Sequence, residues 1–223
     1  MDVIRPPKLE VYRDESVAQD YDQRWAGALG EKRDLRKARA IRRAFEILQK
    51  HHAAAELVTV LDIPCGTGRF SDLFDRYSCQ TLGADLSVEM LQQAKLKHPQ
   101  HAFICADIGK LPFLDNGIDV GACIRMLHLV HSSELRIQFL RELNRVCKYG
   151  AIIDYRHSRT FRIFSRRLRH RFGLYKEAPS NPSPKQILLE LEQAGFKPLA
   201  KIDVHFAPFL SDKLIFPVIS NDC

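Results

Sequence analysis

The 223-residue sequence has no Cys-x-x-Cys pair, and its six cysteines are scattered at positions 65, 79, 105, 123, 147 and 223. That scatter excludes a disulfide framework and a zinc ribbon, and it reads as reduced, partly buried thiols in a reducing compartment. No apolar run reaches the roughly 18 residues that a membrane-crossing helix requires. Residues 1–7 contain two prolines and charged groups and lack the apolar stretch of a signal peptide, so a cytoplasmic location is expected. Internal repeats and low-complexity tracts are absent too, which excludes solenoid and fibrous architectures.

The composition is that of a globular chain. A hydrophobic content of 45% over this length suffices for one α/β domain with a full core. The formal charge of +7 and pI near 9.2 favour acidic or phosphorylated partners, or simply solubility; nucleic-acid binding is not expected from them.

The most informative stretch is residues 58–69, VTVLDIPCGTGR. An apolar, β-branched strand runs into Asp62, then a turn carrying Gly66 and Gly68, then a helix predicted over 69–77. Glycines here let backbone N–H groups approach a ligand, and Asp62 can accept hydrogen bonds from a cationic or hydroxyl-bearing group. A dinucleotide or S-adenosylmethionine fits that arrangement. The dinucleotide fingerprint needs a third Gly or Ala, and counting from Gly66 that position is Ser71. The next strand ends at Asp85, where a Rossmann-like unit places the carboxylate that binds ribose hydroxyls. Ser87 caps the following helix, with Met90 and Leu91 on its buried face.

Asp62-x-x-x-Gly66-x-Gly68 resembles the first motif of the class I S-adenosylmethionine-dependent methyltransferases, with Pro64 standing where that family usually has its first glycine. The order of elements resembles the small-molecule members, the type 11, UbiE-like group, over roughly residues 57–219. The resemblance implies a Rossmann-like, doubly wound α/β sheet of seven strands, mostly parallel with an antiparallel C-terminal hairpin. It implies S-adenosylmethionine as cofactor, S-adenosylhomocysteine as product, and Pro64, Cys65 and Leu86 beside the cofactor. Asp107 would meet the adenine amino group and Ile108 its ring, followed by Leu111-Pro112-Phe113. Tyr21 and Arg24, in a Tyr-Asp element before the first core helix, would cover the site. Trp25, an aromatic in the same polar leader, is a candidate for the pocket mouth.

Residues 1–33 read as a leader or lid and 34–223 as one domain, with a basic insertion around 156–183. From Asp34 an amphipathic helix buries Leu35, Ala38, Ile41, Ala44, Phe45 and Leu48 and leaves the charge run 32–43 as a solvated face. Strand ends on the carboxyl side of such a sheet meet in the ligand crevice. That places Arg125, Met126 and His128 between cofactor and acceptor, and brings Asp154, Tyr155, Arg156 and His157 toward the same crevice. His128 and His157 are the candidate bases and Tyr155 a binding residue. His128-x-x-His131 has metal spacing but no companion ligand, so no metal is expected. Lys148 to Gly150 should end the helix over 132–146, with a strand from Ala151. In 161–171, Phe161, Phe164 and Leu168 should dock the segment and turn Arg162 and Arg166 outward, toward a phosphate, a carboxylate, an anionic membrane surface or solvent. Pro217 should confine the last strand to a sheet edge or its end.

These features point to methyl transfer onto an O, N or C atom of a small, anionic or lipid-like acceptor. An RNA methyltransferase and a non-catalytic S-adenosylmethionine-binding protein are the other readings. Oligomeric state is not legible.

Overall fold

The computed structural model describes residues 21–22, 27–174, 181–205, 207 and 211–221. Its frame is an eight-stranded sheet in the order β3-β2-β1-β4-β5-β8-β6, with β7 also paired to β8. The strands are β1 Thr59–Asp62, β2 Gln80–Asp85, β3 Ala102–Cys105, β4 Ile118–Cys123, β5 Cys147–Arg156, β6 Phe196–Pro198, β7 Ile202–Asp203 and β8 Lys213–Ser220. The first five are parallel, and β8 runs antiparallel to β5, β6 and β7. The helices are α1 Ala28–His51, α2 Val88–Lys97, α3 Ser133–Val146, α4 Phe161–Arg171 and α5 Pro184–Gln193. Apolar side chains of α3 and α5 form a core on one face of the sheet, and those of α1 form another with Phe70 and Phe74. The Rossmann-like doubly wound arrangement is therefore present, with one strand more than predicted because the outer strand is split into β6 and β7.

That split also explains Pro217, which lies inside the sheet rather than at its edge. In a strand the N–H and C=O of one residue point to the same side. Pro217 accepts from Leu199 N at 2.9 Å, so its missing donor faces Leu199 at the break between β6 and β7, one residue past the last paired residue of β6.

Three other expectations are corrected. No linker separates α3 from β5. Gly150 lies within the strand, at a bulge where the register slips by one residue, and its φ of 123° goes with a Cβ position only 2.1 Å from Val218 O. The helix predicted over 69–77 is two 3₁₀ turns, Ser71–Leu73 and Asp75–Tyr77. Three residues per turn puts Asp72 and Asp75 on one side, where Asp72 meets His98 Nδ1 at 2.8 Å and both carboxylates face His101 Nε2, at 3.1 and 3.5 Å. Finally, α1 starts at Ala28; Ile41, Ala44, Phe45 and Leu48 are buried as predicted, but Leu35 is exposed and Lys37, assigned to the solvated face, is buried.

Candidate functional site

The carboxyl ends of β1, β2 and β4 surround a cavity, and the carboxylate of Asp85 joins two of its walls. One carboxylate oxygen accepts Gly66 N at 2.8 Å and the other accepts Ser87 N at 3.0 Å. Ser87 in turn caps α2 by accepting Met90 N at 3.1 Å. Burial raises the Asp85 pKa, and the N–H groups of Ser87, Gly66 and Leu86 oppose that rise. Asp62 is only 2% exposed; burial, with the Asp85 charge second, pushes its pKa up to about 8. Asp85 thus has backbone donors that favour its anionic form, whereas Asp62 has none and is mostly a neutral acid at pH 7.

The loop between them follows from local chemistry. Ile63 N and Cys65 N donate to Ala122 O and Ala84 O, both at 2.9 Å, pinning the loop to β4 and β2. A residue without a donor at Pro64 leaves no gap in that pattern, and the Ile63–Pro64 peptide is cis. Gly66 and Gly68 both have positive φ, 56° and 72°. A Cβ at Gly68 would stand 2.8 Å from His98 Cδ2, so the imidazole that meets Asp72 also packs against the loop. Among the described residues, Asp72, His98 and His101 are the one His/Cys/Asp/Glu group with metal-like ligand spacing. The His128 and His131 pair is not such a group.

Most of the predicted cofactor residues line this cavity: Tyr21, Asp62, Pro64, Cys65, Gly66, Asp85, Leu86, Met90, Asp107, Ile108 and Arg125. Gly68 shapes the loop from behind and is not in the lining. Met126 and His128, expected on the acceptor side, are in the same wall. Arg24 and Trp25 lie outside the described residues, as does the Arg162 side chain. Arg166, on α4, is not among the lining residues.

His157 and Tyr155 are placed elsewhere. Arg159 N donates to His157 Nδ1 at 3.2 Å, which leaves the proton on Nε2, facing Ser211 O at 3.2 Å. Both ring nitrogens are thereby engaged with backbone, and His157 does not line the cavity. Tyr155 is 1% exposed and donates its hydroxyl to Glu190 Oε2 at 2.8 Å, on the α3/α5 side. The reason is strand parity: Asp154 and Tyr155 are successive residues and point to opposite faces.

Asp154 faces α1. It pairs with buried Lys37 and accepts Arg125 N at 3.0 Å, holding Arg125 at a φ of 64°. Lys37 thus helps support the cavity wall through Asp154. Arg69, whose guanidinium pairs with Asp34, and Phe139 are further lining residues that the sequence reading missed. Burial, then the Arg156 charge, lowers the His128 pKa to about 3. Arg125 also borders a second, smaller cleft with Arg33, Asp34, Lys37, Arg156 and Lys213. Burial, then the charges of Lys37 and Arg156, lowers the Lys213 pKa to about 8.

A family model described as "Methyltransferase domain" matches residues 61–153, the stretch from the end of β1 to β5. That stretch is similar to a methyltransferase domain, and the whole chain has the Rossmann-like class I methyltransferase fold. Its architecture is similar to that of magnesium protoporphyrin IX methyltransferase from Synechocystis PCC 6803, solved with bound S-adenosylhomocysteine. That match has a TM-score of 0.71 at 15% identity and covers 96% of this chain and 97% of that one. Among curated proteins, malonyl-[acyl-carrier protein] O-methyltransferase from Hamiltonella defensa is 39% identical over 94 residues, 42% of this chain and 35% of the relative. The protein of the same name from Pectobacterium atrosepticum is 29% identical over 146 residues, 66% of this chain and 54% of the relative. This chain thus matches between about a third and about half of those relatives' lengths.

Proposed function

We infer that this protein is an S-adenosylmethionine-dependent methyltransferase acting on a carboxylate-bearing acceptor. The observation that carries the reading is the Asp85 carboxylate, half-buried at the cavity wall and oriented by Gly66 N and Ser87 N. Such an acceptor suits a ribose diol, and the donor set fits the rest of the group. Asp107 and Ile108 offer a polar edge and an apolar wall for an adenine, while Asp62 offers a carboxyl for a cationic amino-acid end. The bound cofactor supplies an activated methyl group on a sulfonium; positioning and exclusion of water are left to the protein.

With Lys37 paired to Asp154, the second cleft still sets Arg33, Arg125, Arg156 and Lys213 against the one lining carboxylate of Asp34, which supports an anionic acceptor, since the cleft meets the cavity at Arg125. A carboxylate oxygen is already deprotonated and needs no general base. The relatives' names, which specify a malonyl carrier protein as methyl acceptor, agree with this class. The test is transfer of labelled methyl from S-adenosylmethionine to malonyl thioesters, free dicarboxylates and phenols. Failure to bind either S-adenosylmethionine or S-adenosylhomocysteine at millimolar concentration would refute the whole reading; labelling of phenols but no carboxylate would refute the acceptor.

A second reading, transfer to a hydroxyl, is favoured by His128, which lines the cavity in its neutral form. Under the carboxylate reading His128→Ala lowers kcat less than tenfold, whereas a general base for a hydroxyl contributes about 10²–10⁴-fold. The pH dependence helps to check the assignment. With a folded pKa near 3 and an unfolded value near 6.5, neutral His128 adds stability above pH 6.5 that is lost as pH falls toward 3. No kinetic step near pH 6.5 is therefore expected from this residue.

Asp62 gives an independent prediction. A cationic ligand end beside a carboxyl whose pKa is near 8 ionises it, so cofactor binding at pH 7 releases up to one proton. Titration calorimetry in buffers of different ionisation enthalpy measures this directly. Zero release between pH 6 and 8 would remove Asp62 from the ligand contact.

A further inference from the structure

The helix α4 turns its apolar side away from the protein, contrary to the sequence expectation. Phe161, Phe164, Leu168 and Phe172 are 73%, 64%, 46% and 70% exposed, and Leu174 just beyond is 70% exposed. At about 100° per residue, the first four fall within an arc of about 80°. Ile163, on the opposite side of the helix, is 1% exposed and anchors α4 to the domain, and the Thr160 side chain caps the helix by accepting Ile163 N at 3.3 Å. The same wheel sets Arg169 on one flank of the apolar arc and Arg167 and Arg171 on the other. All three arginines are exposed.

We propose that α4 is an interfacial helix that seats this protein on an anionic phospholipid surface. An apolar arc at the outermost pole, bordered by arginines on both sides, matches a bilayer interface, where rings enter the acyl boundary and guanidinium groups remain at headgroup level. A second copy of the chain is a poor occupant, because pairing arc to arc brings Arg167, Arg169 and Arg171 toward their own equivalents. A nucleic-acid backbone would satisfy the arginines and leave the four apolar side chains in water. The helix begins five residues after Arg156, which ends β5 and borders the basic cleft. Docking through α4 would therefore bring the carboxyl edge of the sheet, where the cavity lies, close to the lipid. The inference does not depend on the acceptor or on catalysis.

The full chain is sedimented with vesicles of phosphatidylcholine alone or with about one-third phosphatidylglycerol. Binding is expected to the anionic vesicles, with little to the neutral ones. Arg167→Ala/Arg171→Ala weakens partitioning roughly twenty-five-fold, at about fivefold per arginine. Phe161→Ser/Phe164→Ser weakens it at least tenfold while the far-ultraviolet circular dichroism is unchanged. As a check independent of those variants, the emission of a Phe164→Trp variant shifts to the blue and is quenched by bromine-labelled acyl chains, measured against the signal of Trp25 in the parent. The proposal is overturned by absence of binding to anionic vesicles at 50 mM salt, by serine variants that are folded and bind undiminished, or by Phe164→Trp emission that the brominated chains leave unquenched. Salt-sensitive binding to RNA or to an acidic protein without vesicle binding overturns it as well.

Discussion

Asp85→Ala raises the Kd for S-adenosylmethionine and S-adenosylhomocysteine by about 10²–10⁴-fold. A hydrogen bond to a charged group contributes about 1.5–3 kcal/mol, and the proposed ribose diol makes two; each 1.4 kcal/mol is a factor of ten. The loss is compounded because the same carboxylate accepts Gly66 N and Ser87 N, so the variant also releases the glycine loop and the start of α2 from each other. Asp85→Asn does not repair this. Both oxygens already accept backbone N–H groups, and an amide would turn one acceptor into a donor facing a donor. The ligand-free variant remains folded, since removing a half-buried carboxyl also removes its desolvation, which offsets part of the lost hydrogen bonding. Calorimetric titration of both ligands, with a thermal melt of the ligand-free protein, checks the result. A folded variant that binds within tenfold of the parent would remove Asp85 from the cofactor site.

The proposed cofactor side of this site is legible in the sequence because each of its parts has a local signature. A β-branched run, an acid, two glycines and a second acid at the next strand end are dictated by backbone geometry, and the structure assembles them around one cavity. The acceptor side has no such signature. Lys37 looks like any other basic residue of α1 until Asp154, 117 positions away, supplies the partner that makes its burial tolerable. Tyr155 shows that one signal was available and unused: strand parity alone separates it from Asp154. The exposed arc of α4 illustrates the opposite limit. Periodicity finds an apolar face but does not say whether the domain or something outside it covers that face, and here Ile163 is the inward residue.

Glu190→Ala destabilises the protein by about 3–5 kcal/mol, the cost of leaving one member of a buried ion pair without its partner. Arg136 is 2% exposed, and its Nε donates to Glu190 Oε2 at 2.8 Å. The same carboxylate accepts the Tyr155 hydroxyl and the Ser133 hydroxyl, each at 2.8 Å, so one substitution strands donors on α3 and β5. For a domain of this size about 1 kcal/mol moves Tm by 2–4 °C, giving a fall of about 6–20 °C. Arg136→Met/Glu190→Leu recovers part of that loss, because an apolar pair of similar volume avoids the desolvation of both charges while the Tyr155 and Ser133 hydroxyls still lack their acceptor. The double variant nevertheless does not restore full activity. Arg136 Nη1 also donates to Val130 O at 2.7 Å and His131 O at 3.1 Å, fixing the segment that carries His128 into the cavity. Melting curves and turnover measured on the same three proteins separate the two roles: stability returns in part in the double variant, and turnover stays as low as in Glu190→Ala. If both returned together, Arg136 would be a core residue alone, with no part in positioning His128.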